Sequence, residues 1–261
     1  MNLPLEMRAG LTSIDRWLIG FGLVTVCGLA WAVLAWQAST MTDMGTMGQN
    51  IQSTGSWSLA NVGAIYLMWV VMMAAMMVPA TSPMISIFAT INRRRRTAGS
   101  AYVGTAVFLL GYLLAWSLFS IAATGAHWTL ETAGWLTPMM ESSSAALSAT
   151  LFAAAGLYQW TPLKDMCLNR CRTPVGFVLT EWRDGTIGAV AMGLRHGLFC
   201  IGCCAALMSL LFAVAVMDLR WVAAIAVLVT VEKLLPWPRL WRHLIGLGLM
   251  VAAFGFAVGW L

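Results

Sequence analysis

The chain has 261 residues, of which 60% are hydrophobic and 10% charged, with a mean hydropathy of +0.80 and a formal charge of +5. A soluble globular domain is about one quarter charged, so this composition excludes one and reads as an integral membrane protein. The positive charge sits in short clusters between apolar runs, which makes it a topology signal and not a nucleic-acid-binding surface.

Apolar runs long enough to cross a bilayer as helices need about 17 to 25 residues. Seven candidates occur, at 17–36, 60–80, 101–124, 145–162, 187–217, 221–235 and 241–260, the sixth being short. The runs are continuous and do not alternate polar and apolar residues, so the expected fold is all-α, a polytopic transmembrane helix bundle and not a barrel. Arg8 and Arg16 precede the first run, Arg93 to Arg96 follow the second, Lys164, Arg170, Arg172 and Arg183 follow the fourth, and Lys233, Arg239 and Arg242 surround the junction of the last two. Among the other loops only Arg220 is basic, and Arg195 falls inside the fifth run. Basic residues favour cytoplasmic loops, which places the N-terminus in the cytoplasm and, after seven crossings, the C-terminus on the outer, periplasmic side. The first run lacks an A-x-A site and reads as a retained helix. The chain is expected to form a single membrane domain over 1–261, with loops 37–59 and 125–144 outside and 163–186 inside.

The outer segment Met41-Thr42-Asp43-Met44-Gly45-Thr46-Met47 carries a methionine at every third position, and burial does not explain thioethers in a solvated loop. Three thioethers suit Cu(I) and are poor ligands for Mg or Ca, which take oxygen. In the second run Met68, Met72 and Met76 repeat at i, i+4, i+8, and Met73 and Met77 form a neighbouring row. Methionine is more often core filler than ligand, so these rows alone favour packing, and it is their clustering that adds a ligand reading. Pro79 and Pro83 are expected to kink or end this helix near the cytoplasmic surface. On the second outer loop, Met139, Met140, Glu141 and His127 are further donors.

Cys167 and Cys171 follow the fourth run on the cytoplasmic side, where a structural disulfide is disfavoured. Continued as a helix, that segment puts both sulfurs on one face; as a loop it still allows them to meet. The fifth run contains His196, Cys200 and Cys203 at i, i+4, i+7, one helical face, with Cys204 at its edge and Met208 one turn farther. Thiolate and imidazole are ligands for Cu(I), with zinc and iron as alternatives. Packing and interhelical hydrogen bonding are the competing roles for each residue alone, and Gly197 and Gly202 also suit close helix approach. Glu232 lies near the cytoplasmic end of the sixth run, where a carboxylate needs a partner. His196, Arg195 or a metal are its expected partners, and Lys233 is expected to snorkel to the interface.

The M-W-x-x-M-M-x-A-M-M-x-P segment at Met68 to Pro79, the G-x-Y-Q-x-x-P-L-K-x-x-C-L-x-x-C segment at Gly156 to Cys171 and the G-x-x-H-G-x-x-C-x-G-C-C segment at Gly193 to Cys204 resemble a bacterial family of predicted metal-binding integral membrane proteins. Val231-Glu232-Lys233 fits as well, so the resemblance covers about residues 60 to 235, leaving 17–36 and 241–260 peripheral. It implies metal binding in the bacterial inner membrane without a defined reaction, and carries Cys167, Cys171, His196, Cys200, Cys203, Cys204 and Glu232 as motif positions. The Met72-x3-Met76 spacing also resembles that of high-affinity copper uptake channels.

The expected function is therefore Cu(I) handling, as a transporter or as a donor that assembles a membrane metalloenzyme. Partners would be the bilayer, the ion and a metalloenzyme, a metallochaperone or a second copy of the chain. A membrane thiol oxidoreductase using Cys200 and Cys203 is the alternative, although no outer loop carries a cysteine with which to exchange. A non-catalytic subunit packing through Gly255 and Gly259 is a third. A haem protein with His196 and His127 or His243 as ligands is disfavoured by their positions near opposite surfaces. No hydrolytic motif or phosphate-binding loop is present, and the chain has no nucleotide domain for an ATP-driven pump.

Overall fold

A computed structural model describes residues 13–47, 58–97, 104–137, 142–214, 216 and 218–260. Its helices are α1 (Ser13–Met47), α2 (Leu59–Thr97), α3 (Thr105–Thr132), α4 (Ala145–Tyr158), α5 (Pro162–Arg172), α6 (Pro174–Glu181), α7 (Gly185–Met208), α8 (Leu219–Leu234) and α9 (Pro238–Ala257), with a 3-10 turn at Ser209–Phe212 extending α7. No strand occurs among the described residues, only an isolated bridge between Leu136 and Ser142.

Among the described residues five helices are long and apolar enough to cross a membrane: Trp17–Thr40, Leu59–Arg93, Thr105–Thr132, Gly185–Phe212 and Pro238–Ala257. The other two expected spans fall on α4, with 14 residues, and α8, with 16. At 1.5 Å per residue these reach about 21 and 24 Å, less than the ~30 Å of a hydrocarbon core.

Several boundaries differ from the sequence reading. α2 runs through both Pro79 and Pro83 and on to Thr97, where an end or a kink was expected. Pro79 has no N–H to give Ala75 O, and the Cys27 thiol of α1 donates to that carbonyl instead at 3.6 Å. The Met41–Met47 segment is the last two turns of α1 and not a loop. His127 belongs to α3 and is buried, not on an outer loop. Met139, Met140 and Glu141 lie outside the described residues. The inner loop folds into α5 and α6; Pro162 opens α5 where a missing N–H costs nothing, and the Thr161 hydroxyl caps it by accepting from Lys164 N.

The most extensive packing is between α3 and α7, followed by α4 against α9. Glycine makes the first crossing close. A methyl group on Gly193 would stand 2.0 Å from Phe108 O, one on Gly111 would stand 2.2 Å from Val190 O, and one on Gly197 would meet Ala115 Cβ at 2.4 Å. Two of these obstacles are backbone, which cannot yield without moving a helix. Through this crossing α3 presents Tyr112 to the His196–Cys200 turn of α7. Gly193→Ala should therefore push α3 and α7 apart and lower stability by about 1–3 kcal/mol, the usual range for overpacking. Reversible denaturation in detergent would measure it, and a control at Gly63, where a methyl group meets nothing within 4 Å, should be near neutral.

Candidate metal centre

The face expected on the fifth span exists on α7: His196, Cys200, Cys203 and Cys204 are all buried. Cys203 Sγ lies 3.2 Å from Cys204 Sγ and donates to Cys200 O at 3.1 Å. Across the interface, α5 brings Cys171 Sγ to 3.9 Å from Cys203 Sγ. The Cys200 sulfur lies near enough to those of Cys171, Cys203 and Cys204 to interact with them electrostatically. Four sulfurs from two helices thus form one connected group.

Cys167, one turn before Cys171, packs its sulfur over Gly202, where a β-carbon would come within 2.6 Å of it. Burial pushes the Cys167 thiol above its ordinary range. Tyr158 fixes the same stretch of α7 by donating to Gly202 O at 2.5 Å.

Cys200 has two further contacts that the sequence did not single out. Tyr112 Oη lies 3.1 Å from its sulfur and 3.2 Å from Met77 O, and Lys233 Nζ lies 2.8 Å from the same sulfur. Lys233 was expected to reach for the aqueous surface; it is 8% exposed and points into the bundle. The available signal was Tyr112, a hydroxyl inside an apolar run, since an isolated buried lysine requires polar company.

Glu232 is paired neither with His196 nor with Arg195. Its carboxylate lies 2.8 Å from Lys164 Nζ, with both side chains essentially inaccessible. Arg195 instead pairs with Glu181 at the surface. Arg172 donates to the backbone oxygens of Glu232 and Leu235, closing the end of α8. Lys164 and Arg172, counted in the sequence as loop charges, are thus structural contacts between α5 and α8.

His196 Nε2 shares a hydrogen bond with Thr81 Oγ1 at 3.2 Å, its Nδ1 has no hydrogen-bond partner among the described residues, and the rings of Phe108, Tyr112 and Phe177 surround it. Met72 and Met76, with Met68, Met73 and Met77, are buried in the same core as Cys167, Cys200, Cys203 and Cys204. Met41, Met44 and Met47 are on the terminal turns of α1.

Among the described residues no three His, Cys, Asp or Glu side chains enclose a ready-made ion site. The sulfurs are hydrogen-bonded to one another, so an ion would enter by displacing thiol protons. The donor chemistry is nonetheless one-sided: sulfur clusters at the α5–α7 contact, while the neighbouring carboxylate of Glu232 is taken by Lys164. A helical bundle with a buried thiol group of this kind suits a soft, thiophilic ion.

The family model described as PpoB2, copper chaperone, matches residues 66–256, and the chain belongs to this family. The match takes in all the cysteines of the cluster and most of α9. No curated protein and no solved structure matches the chain.

Removing one member of the buried Lys164–Glu232 pair leaves an uncompensated charge, for which losses of about 3–5 kcal/mol are typical. Glu232→Gln should fall in that range, and Lys164→Met combined with Glu232→Leu should recover most of it. A double-mutant cycle read by denaturation in detergent checks the coupling.

Proposed function

We propose that this protein is an inner-membrane copper chaperone that holds Cu(I) on the thiolates of Cys200 and Cys203 and passes it to a client metalloenzyme. The observation that carries the reading is the meeting of Cys171, Cys200, Cys203 and Cys204 at one helix contact, within a chain of a copper chaperone family. Thiolates select Cu(I) among the common ions by softness.

In this reading Cys204 and Cys171 are the adjacent acceptors, and Cys167 stands one turn behind Cys171. His196, through Nδ1, is the next donor along the face. Met72 and Met76 offer thioethers in the same core, and Met41, Met44 and Met47 offer an outer set that binds without proton release. Glu232 has a structural role through Lys164 and is not a ligand. A site that loads and unloads needs several neighbouring donors of comparable strength, so that the ion can enter and leave by exchange. A donor role fits the family description better than a transporter, since a chaperone must hold the ion and release it to a partner.

Anaerobic titration of the purified protein against a Cu(I) chelator tests this. Wild type should bind at least one Cu(I) with a sulfur-dominated X-ray absorption spectrum. Cys200→Ser/Cys203→Ser should weaken binding by at least about tenfold, or ~1.4 kcal/mol. Unchanged affinity and stoichiometry in that variant would sink the assignment. Thiol trapping addresses the oxidoreductase alternative: a disulfide between Cys200 and Cys203 that cycles with quinone would favour it.

A further inference from the structure

Lys233 is a buried cation with no carboxylate partner among the described residues. Its neighbour in sequence, Glu232, faces the other way and is neutralised by Lys164 at 2.8 Å. The other acidic groups near this end are engaged as well: Asp165 with Arg242, and Glu181 with Arg170 and Arg195. What Lys233 does face is sulfur and a phenol. Its Nζ is 2.8 Å from Cys200 Sγ, and Cys203, Cys204 and Tyr112 are close enough to interact with its charge. An ammonium placed in an apolar interior requires a compensating negative charge or a strong acceptor, and the group in direct contact that can supply it is the Cys200 sulfur, once its proton is lost.

That arrangement fixes the charge of whatever ion the thiolates hold. Two thiolates carry −2; with Lys233 at +1, a monovalent ion brings the total to zero. A divalent ion on the same two thiolates leaves +1 uncompensated in surroundings where unpaired charge is costly. We infer that Lys233 is the specificity-determining residue of the thiol cluster, a built-in countercharge that makes the Cys200/Cys203 site select monovalent over divalent thiophilic cations. It does so without touching the ion, through its position on Cys200.

Softness alone already separates Cu(I) from many divalent ions, so the countercharge acts on the competitors that softness does not exclude, the thiophilic divalent ions. It also separates selection from stability. A hydrophobic residue at 233 would remove a buried charge and suit the apolar core, yet leave the loaded bis-thiolate site with a net −1.

The inference rests on the Cys200/Cys203 reading above, and the test separates the two. Ag(I) and Cd(II) are both thiophilic and differ in charge, so their ratio reads charge selection. Competition titrations of the full chain in detergent would compare wild type, Lys233→Arg and Lys233→Met. Wild type and Lys233→Arg should prefer Ag(I), and Lys233→Met should lose at least about tenfold of that preference, a modest part of what a unit charge at close range exerts in a protein interior. An unchanged Ag(I) to Cd(II) ratio in folded Lys233→Met overturns the inference. If Lys233→Met does not fold, wild type decides: Cd(II) held as tightly as Ag(I) overturns it, and Ag(I) held at least tenfold more tightly supports it. Ag(I) binding that survives Cys200→Ser/Cys203→Ser undamaged would instead remove the site itself.

Discussion

Burying a lysine in an apolar helix bundle is allowed only where an anion or a strong acceptor meets it, and two lysines impose that condition on the heart of this fold. Lys164 of α5 meets Glu232 of α8, and Lys233, the next residue of α8, meets Cys200 of α7. Because adjacent residues on a helix project about 100° apart, these two contacts tie α8 to two different neighbours. The short amphipathic α5 is thereby held against the bundle, and Arg172 strengthens the join by satisfying carbonyls at the end of α8. The Lys164–Glu232 pair adds to the direct packing of α5 on α7, seen at Cys167 over Gly202, that holds Cys171 beside Cys203.

The second organising feature is steric. α3 and α7 approach so closely at Gly111, Gly193 and Gly197 that backbone faces backbone. This proximity sets Tyr112 against Cys200, with Met77 O of α2 as its other contact. Small residues let helices pack where lipid offers no hydrophobic drive between them. Here the same glycines determine which polar side chains can reach the thiols.

Much of the fold was legible in the sequence because apolar run length and helical spacing are local properties. Each of the seven runs has a helix along most of its described residues, and His196, Cys200 and Cys203 are all buried on α7, as their spacing on one face led one to expect. What was not legible depended on pairing between segments distant in the chain. Glu232 and Lys164 are separated by 68 positions, and Cys171 and Cys203 by 32; nothing in either segment specifies the other. Lys233 was misjudged for the same reason. A lysine at the end of a hydrophobic run normally reaches for water, and only the neighbouring thiols and Tyr112 reverse that preference. The continuity of α2 through Pro79 was hidden too, since the group that takes up the freed Ala75 carbonyl, Cys27, belongs to another helix.

The burial of the four sulfurs is uneven, and this bears on how a held ion could leave. Cys200, Cys203 and Cys204 are at most 1% exposed, whereas Cys171 is only partly buried. Cys171 also stands on α5, a helix of 11 residues rich in charge, while the other three are on the long apolar α7. In the proposed chaperone role, an ion held on the inner sulfurs would leave by way of Cys171, the partly exposed sulfur that contacts Cys203. Exchange along such a row replaces one sulfur bond by another at each step, so no bare ion need cross an apolar layer. The pairs that pin α5 in place then serve two ends at once: they stabilise the bundle, and they keep the outermost donor within reach of the innermost.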